Sequence, residues 1–412
     1  MAPSSYNKIG KEDRNMELDQ LLLPLFKYLP KGAMDACSDT DLADMVACFM
    51  SLKKENDTGC VNGDKEMEMA MGADGKNITE ELQKRIGQLR SYRVALDKLL
   101  DIPHIPQRTP EWYKMRQSRL TASDLSAAEG RGKFKSRNEL VGQKVNENRG
   151  KPTPFRGSVA TQWGVMFEPM ASRIYSEHMG DVKLYEFGLL AHPDLRCFGA
   201  SPDNVSELGI MVEYKCPWRR VITGEIPYEY GVQMQGQMSV CRLSECDFVE
   251  CALEKINNEQ AYVERHKGMR TNHGVIVEWK AADGTLSYDY SPANLVPEDA
   301  LRWARRTASA KMKEDATLNM ISMSPWRLAT LHIVRVYFDE SEWGRLVPII
   351  TGFWADVERG IALAEGEEAN GTVPTSVSSK SSRSSTLVLD LEDDDGIPPI
   401  KAKKMMFREG EG

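Results

Sequence analysis

Hydrophobic and polar positions alternate between residues 203 and 215, and this alternation predicts a β-hairpin. Side chains two residues apart in a strand point the same way, so Glu213 and Lys215 share one face. The other face is apolar and suited to a core: Ile210, Val212 and Tyr214. Because the turn at residues 206–209 is short, it returns the chain beside Asp203. Three ionisable groups are therefore expected to meet at one place.

Helical periodicity predicts a long helix in the N-terminal region. It begins near Asn77 and carries an apolar stripe that suits packing on a core rather than on a partner helix: Leu82, Ile86, Leu89, Leu96 and Leu99. Residues 1–104 are thus expected to form a helical module, with a flexible stretch near residues 55–77 that contains Asn-Gly and Asp-Gly dipeptides.

Two further helices carry polar groups toward the hairpin. The helix containing residues 163–175 bears Glu168, and Pro169 requires a first-turn position or a kink because proline lacks a backbone N–H. The helix at residues 230–238 places Gln233 and Gln237 on one face, with Gln235 off that face. An ordinary surface glutamate is an equal alternative for Glu168, and a glutamine on a helix is more often simply solvated.

Later strands complete the pattern. Residues 247–253 predict a strand, and residues 275–279 and 286–290 predict a second hairpin around the turn dipeptide Asp283-Gly284. A strand ending near residue 339 leads into a helix containing residues 352–354. The expected organisation is a catalytic domain over residues 105–364, with an insertion near 254–330 and a disordered acidic tail over 365–412.

Asp203, Glu213 and Lys215 form a candidate metal-dependent site. Neighbouring carboxylates repel each other unless a cation joins them, and hard oxygen ligands suit Mg²⁺ or Mn²⁺. In phosphodiester hydrolysis such a site activates a water and neutralises charge on the phosphate, and the lysine adds a positive charge. A half-exposed strand with solvated charges shows the same alternation, so neighbouring segments must decide between the two interpretations.

Arg116 and Ser123 form a candidate anion site. The sequence after Arg119 predicts a turn and a helix whose N-cap is Ser123. Free N–H groups and the helix dipole at such an end attract anions, and a guanidinium adds to the attraction. A plain capping serine beside a solvated arginine is the alternative.

The motifs occur in the order found in the lambda-exonuclease or YqaJ-type viral recombinase family of the PD-(D/E)XK nucleases, which the chain resembles over residues 108–253. They are Trp112-x3-Arg116, Thr121-Ala122-Ser123, Gly164-x3-Glu168-x2-Ala171, Ser201-Pro202-Asp203, Glu213-x-Lys215-Cys216-Pro217 and Gln233-x-Gln235. The resemblance implies an α/β fold with a PD-(D/E)XK restriction-endonuclease-like core, a central mixed sheet flanked by helices, preceded by the helical module.

The resemblance also implies an activity. It is 5′→3′ exonuclease digestion of linear double-stranded DNA from a 5′-phosphorylated end, with two Mg²⁺ or Mn²⁺ ions. The 3′ single-stranded tails would feed a single-strand annealing recombinase, in replication or recombination of a virus or mobile element. Structure- or site-specific endonuclease activity on the same fold is one alternative. A non-catalytic DNA-binding or assembly scaffold is another.

Roles for individual residues follow from their positions in the motifs. The implied catalytic residues are Asp203, Glu213, Lys215, Glu168 and Gln233. The implied metal ligands are Asp203 and Glu213, with Glu168 near the ions and Asp194 as the nearest match, one residue out of register, to a further aspartate. The implied 5′-phosphate site comprises Arg116, Ser123 and Ser201, together with Arg219 or Arg220.

Two departures from the family pattern stand out. Asn204 replaces the usual glycine, a change that asparagine accommodates through its tolerance of positive φ. The insertion near 254–330 is longer than the family core requires and is expected to cover DNA or block oligomerisation, which argues against transferring the ring-shaped trimer of part of the family to this chain.

Charge refines this interpretation. The chain has 412 residues and a net charge of −8, although phosphate neutralisation dominates DNA affinity. Residues 108–156, however, hold twelve Arg and Lys against five Asp and Glu, which predicts a local basic funnel before the site rather than a uniformly basic surface.

The remaining features concern location and partners. Eight cysteines without a Cys-x-x-Cys pair, no signal peptide and no membrane-spanning apolar run predict an intracellular protein, in the nucleus or cytoplasm of a host cell. Apolar residues followed by acids at residues 386–395 resemble a SUMO-interacting motif, and a plain solubilising tail is the alternative.

Overall fold

The strands form two sheets in the computed structural model, which describes residues 11–29, 34, 36–47, 75–103, 105–151 and 157–369. They are β1 (Leu120–Thr121), β2 (Leu184–Tyr185), β3 (Leu190–Ala191), β4 (Phe198–Ala200), β5 (Asn204–Ser206), β6 (Met211–Lys215), β7 (Glu245–Lys255), β8 (His273–Lys280), β9 (Leu286–Tyr290) and β10 (Asn319–Tyr337). The larger sheet has the order β2-β5-β6-β7-β10-β8-β9, and the smaller has the order β1-β4-β3.

Helices flank the larger sheet. They are α1 (Lys11–Tyr28), α2 (Gly75–Leu100), α3 (Pro110–Gln117), α4 (Leu125–Ala128), α5 (Arg137–Asn148), α6 (Val159–His178), α7 (Tyr228–Cys241), α8 (Glu259–Arg265), α9 (Pro297–Glu314) and α10 (Glu340–Ala369). Residues 39–47 are also helical, and residues 122–124 form a 3-10 turn. In the larger sheet β6 and β7 are parallel and the other pairs are antiparallel. The predicted mixed sheet flanked by helices is confirmed.

The hairpin of β5 and β6 forms as the alternation predicts. Gly209 closes the turn at φ 78°, and its N–H donates to the carbonyl of Ser206 over 2.8 Å. The apolar face enters the core, since Ile210, Val212 and Tyr214 are all buried. Asn204 does not need positive φ. Its side chain is buried and accepts a hydrogen bond from the Ser172 hydroxyl (2.9 Å), so the reason expected for this substitution is wrong.

Two apolar cores lie against the larger sheet. One joins α1, α2 and α6 to the strand face that carries Val212 and Tyr214. The other joins α5, α7 and α10 to the face that carries Met211 and Phe248. The predicted stripe of α2 is fully used, because Leu82, Ile86 and Leu89 enter the first core and its last two members enter the second.

A buried ionic network also attaches the N-terminal helices to the sheet. Arg85 of α2 donates to Asp19 of α1 (2.7 Å) and to Glu245 of β7 (2.6 Å). Arg335 of β10 donates to Asp19 (2.9 Å), to Glu245 (2.6 Å) and to Asp247 of β7 (2.5 Å). All five side chains are at most 2% exposed. The network thus joins two helices and two strands far apart in the chain.

The segment near 254–330 extends the larger sheet. β8 and β9 form the predicted second hairpin and continue the sheet beyond β10, while α8 and α9 cover β8 with a small core of their own. The segment also contacts α6, because the Tyr290 hydroxyl donates to the Met166 carbonyl (2.9 Å) and Arg173 donates to the Ser291 carbonyl (2.9 Å).

Several predictions concern regions at the margin of the described residues. Most of the stretch near 55–77, the tail from 370 and the segment at 386–395 lie outside them. Helix α2 begins at Gly75, two residues before the predicted start. Pro169 lies in the middle of α6, which excludes its first-turn alternative. None of the helices described is long and apolar enough to cross a membrane.

We expect Arg335→Ala to lower the free energy of unfolding by about 3–5 kcal/mol, because removing one partner leaves buried carboxylates without their cation. Urea denaturation followed by tryptophan fluorescence measures this change. Arg359→Ala is the control, since Arg359 pairs with Asp356 on the surface of α10 and its removal should leave the midpoint nearly unchanged. Equal, small effects of both substitutions would contradict a structural role for the network.

The network should also make stability depend on pH through Glu245. Burial raises the pKa of Glu245, but the hydrogen bond from Arg85 and the charges of Arg335 and Arg85 outweigh burial and hold the pKa below its ordinary value of 4.5. Ionised Glu245 therefore adds stability that is complete above pH 4.5 and is lost as pH falls through the lower folded pKa. We expect the difference in unfolding free energy between wild type and Glu245→Gln to be largest near neutral pH and to shrink in acid. A difference that stays constant with pH would refute this.

Candidate active site

The hairpin brings Asp203 and Glu213 together. Asp203 precedes β5, and its Oδ2 accepts the backbone N–H of Tyr214 over 2.8 Å, which holds the carboxylate against β6. Glu213 lies one residue earlier on β6, on the face turned toward α7, and is 1% exposed. The convergence that the alternation predicts is therefore present.

Three donors surround the Glu213 carboxylate. Lys215 Nζ and Gln233 Nε2 donate to its Oε1 over 2.5 and 2.6 Å, and Gln237 Nε2 donates to its Oε2 over 2.7 Å. The two glutamines reach Glu213 because they lie one turn apart on the same face of α7. Gln235, off that face, instead bonds to the Tyr337 carbonyl (2.9 Å). Gln237 also belongs to the site, although it was not among the site residues predicted from the sequence. Its four-residue spacing from Gln233 was the signal that could have identified it.

Glu168 supplies a third carboxylate from α6. Its Oε2 accepts from Arg108 Nη2 over 2.9 Å. Burial raises the pKa of Glu168 against the opposing charge and hydrogen bond of Arg108, and the charge of Glu213 raises it further. Glu168 therefore belongs electrostatically to the same site. Arg108 is a second member that the motifs did not indicate.

Charge at the site is strongly unbalanced. Burial raises the pKa of Asp203 well above its ordinary value, and the charges of Glu213 and Glu168 add to this rise. Burial lowers the pKa of Lys215, but the charges of Glu213 and Asp203 outweigh burial and leave that pKa raised. Lys215 is thus a cation at neutral pH, and one more positive charge would relieve the carboxylates.

The donor set suits a hard divalent cation. Carboxylate oxygens are the preferred ligands of Mg²⁺ and Mn²⁺. Gln237 Oε1 is buried without a hydrogen-bond partner, as an acceptor for a metal-bound water would be. No group of three or more His, Cys, Asp or Glu among the described residues has the arrangement of a formed metal cluster. The residue types therefore fit a divalent ion. In this structure, both oxygens of the Glu213 carboxylate accept hydrogen bonds from Lys215, Gln233 and Gln237.

Asp194 is not brought to this site. It lies in the turn that leads into β4, whereas Asp203 lies beyond the other end of that strand. Its side chain is 71% exposed and pairs with Arg242 over 2.8 Å. Asp194, which is one residue out of register with the motif, thus lies away from the site. Glu168 is the third carboxylate of the site instead.

Three of the proposed phosphate-binding residues, Arg116, Ser123 and Ser201, are linked through two neighbouring side chains. Arg116 Nη2 donates to Thr121 Oγ1 (3.3 Å), and Thr121 Oγ1 lies 3.1 Å from Ser123 Oγ. Trp112 stacks its ring on the Arg116 guanidinium (4.5 Å) and donates its indole N–H to Ser201 Oγ (3.1 Å). Thr121 and Trp112 therefore connect Arg116, Ser123 and Ser201. Both residues belong to the motifs quoted from the sequence, but neither was predicted to have a role at the site.

Ser123 does not cap a helix, so that prediction is wrong. It lies inside the 3-10 turn at residues 122–124, and the N-cap of the four-residue α4 is Asp124, without a side-chain cap bond. The hydroxyl meets Thr121 instead of a free backbone N–H. Any anion affinity here comes from side chains rather than from a helix end.

Arg219 and Arg220 have different environments. Arg220 is 16% exposed and donates to buried Glu250 over 2.5 Å. Its guanidinium lies 5.9 Å from the ring of Tyr230, the same ring that lies 4.7 Å from Lys215 Nζ. Arg219 stacks on its neighbour Trp218 at 3.9 Å and is exposed. Arg220 is therefore the arginine fixed beside the catalytic candidates.

The basic funnel is partly neutralised within the fold. Three of the cations in residues 108–156 pair with acids from other segments: Arg108 with Glu168, Lys133 with Glu229, and Arg137 with Asp356. The local excess of positive charge counted in the sequence therefore overstates what is available to a phosphate backbone.

Two solved exonucleases are similar to part of this chain. The alkaline exonuclease LHK-Exo of Laribacter hongkongensis, solved alone and in complex with dAMP, is 20% identical, and the match covers 64% of this chain and 100% of that chain with a TM-score of 0.41. A phage-related exonuclease from Haemophilus somnus is 14% identical, and the match covers 61% of this chain and 96% of that chain with a TM-score of 0.33.

Sequence comparisons find a similar viral protein and a similar domain family. An uncharacterized protein of Acanthamoeba polyphaga mimivirus is 23% identical over 317 residues, which are 67% of this chain and 56% of the mimivirus protein, so this chain spans little more than half of that relative. The model of the YqaJ-like viral recombinase domain matches residues 111–246, the stretch that contains every motif quoted above. Over residues 111–246 the chain is therefore similar to the YqaJ-like viral recombinase domain, in agreement with the resemblance that the motifs carry.

Proposed function

We propose that the protein is a Mg²⁺- or Mn²⁺-dependent exonuclease that digests one strand of linear double-stranded DNA in the 5′→3′ direction. The observation that carries this proposal is the convergence of Asp203, Glu213, Glu168 and Lys215 beside β6, in the stretch matched by the model of the YqaJ-like viral recombinase domain. The 3′ single-stranded tails left by this reaction would serve recombination or replication of a virus or mobile element, through an annealing recombinase.

Each residue has a role that its contacts support. Asp203 and Glu213, with Glu168 nearby, would hold the divalent ion, which when bound lowers the pKa of a water and offsets charge on the phosphate. Lys215 is protonated, so it acts as a positive charge toward the phosphate rather than as a base. Gln233 and Gln237 fix the orientation of the Glu213 carboxylate.

The end of the DNA would be bound by the linked phosphate residues. Arg116, Ser123 and Ser201 present a guanidinium and two hydroxyls, which suit the oxygens of a terminal 5′-phosphate. Arg220, held by Glu250 beside Tyr230, would contact a phosphate nearer to Lys215. A pocket for a terminal phosphate favours an exonuclease over an endonuclease, because an internal phosphodiester has no free end to place there.

We expect the wild-type protein to release nucleotides from 5′-phosphorylated linear duplex in Mg²⁺, to act poorly on 5′-hydroxyl ends and to leave closed circles intact. Lys215→Ala should abolish release, by 10²-fold or more, because a preorganised charge at the scissile phosphate is lost. Arg116→Ala should remove the preference for phosphorylated ends. Cutting of closed circles that Lys215→Ala abolishes would indicate an endonuclease, and an absence of cleavage on every substrate would favour a scaffold.

We expect Gln237→Leu to lower kcat by about 10–100-fold with little change in KM, because the lost hydrogen bond orients the Glu213 carboxylate rather than the DNA. Gln20→Leu is the matched control, since the Gln20 amide donates to the His178 carbonyl on the surface. Single-turnover digestion separates the two parameters. A change confined to KM would instead assign Gln237 to DNA binding.

A further inference from the structure

The segment at residues 105–109 is packed tightly against the strand region that leads to Asp203. A Cβ at Gly188 would lie 1.6 Å from the Ile105 carbonyl oxygen, so only glycine permits this approach. Gln107 Nε2 donates to the Phe187 carbonyl (3.0 Å) and lies 3.5 Å from the Pro202 carbonyl. The chain just before α3 is thereby held beside the residue that precedes Asp203.

Arg108 adopts an uncommon backbone conformation within this segment. Its φ is 66°, a region that non-glycine residues rarely occupy. The residues on both sides are anchored, Gln107 as described and Thr109 as the N-cap of α3, whose hydroxyl accepts from Trp112 N over 3.2 Å. Backbone strain held in this way by its surroundings is typical of functional sites.

The strained backbone directs the Arg108 guanidinium to the carboxylate cluster. One of its N–H groups reaches Glu168, and the side chain is 47% exposed. Among the residues that the structure describes, the rest of the guanidinium makes no further hydrogen bond, so donors remain for a ligand. An ion pair this exposed is weak, which lets the guanidinium exchange Glu168 for another anion or bind both.

We infer that Arg108 is a further substrate-binding residue, which contacts phosphate oxygens of the DNA strand held at the site of Asp203, Glu213 and Glu168. This inference rests on the proposed function. Three carboxylates repel a polyanion, and Arg108 supplies a cation at their margin besides Lys215. The planar guanidinium offers two parallel N–H groups to a phosphate, which an ammonium does not.

The experiment measures DNA affinity apart from cleavage. Arg108→Gly removes the guanidinium and suits the positive φ, so the fold should be kept, and Arg108→Lys retains the charge. Both are combined with Lys215→Ala, and the Kd for 5′-phosphorylated duplex is measured by fluorescence anisotropy at several salt concentrations without divalent ions. Arg359→Ala in the same background is the control, because Arg359 is also an exposed arginine paired with an acid.

We expect Arg108→Gly to raise Kd about tenfold and to reduce the slope of log K against log salt by about 1, as for the loss of one phosphate contact. Arg108→Lys should lie between this variant and its parent, and the control should match the parent. Unchanged Kd and slope in Arg108→Gly would overturn the inference, leaving Arg108 only as a partner of Glu168. Digestion by the otherwise wild-type protein distinguishes this outcome from failure of the proposed function, in which no DNA is cleaved at all.

Discussion

Two arginines without access to solvent, Arg85 and Arg335, determine how the layers of this fold meet. Between them they join α1, α2, β7 and β10 through three carboxylates. The network reaches α6 as well, because the Tyr175 hydroxyl donates to Asp247 over 2.6 Å. Tyr175 lies two helical turns after Glu168 on the same side of α6. The contact that fixes α6 against the sheet therefore also fixes the height of Glu168 relative to β6.

The buried network and the candidate active site have the same number of charges but differ in their donors. In the network, two arginines face Asp19, Glu245 and Asp247. At the site, Lys215 and Arg108 face Asp203, Glu213 and Glu168. Tyrosine hydroxyls complete the first set, since Tyr92 donates to Glu245 over 2.9 Å and Tyr175 donates to Asp247. Against the effect of burial, Arg85 and Arg335, with a smaller effect of Tyr92, lower the pKa of Glu245, whereas burial and the charges of Glu213 and Glu168 raise the pKa of Asp203. The formal charges are the same, so the two sets differ in how closely their cations and hydrogen bonds compensate each carboxylate, and the less compensated set is the one suited to a further cation.

Local patterns in the sequence were sufficient for the parts of the site that lie close together in the chain. Alternation determined which face Glu213 and Lys215 occupy, and helical spacing placed Gln233 and Gln237 together. Contacts between distant segments were not predictable in this way. Arg85 and Glu245 are 160 residues apart, and Asp19 and Arg335 are 316 residues apart, with no shared period that would pair them. Arg108 was missed for the same reason, and Ser123 was misassigned because propensity does not distinguish a 3-10 turn from a cap.

The length of β10 limits how the central sheet can be shortened. Its first half pairs with β8 and its second half with β7, and Trp326 and Arg327 pair with both neighbours at once. The additional segment is thus a continuation of the central sheet rather than a domain joined by a hinge. Removing only β8 and β9, residues 273–290, would leave the eight residues of β10 that pair with β8 open to pairing with another chain. A shorter relative must therefore end the strand near residue 327, so the length of β10 and the presence of the segment should change together.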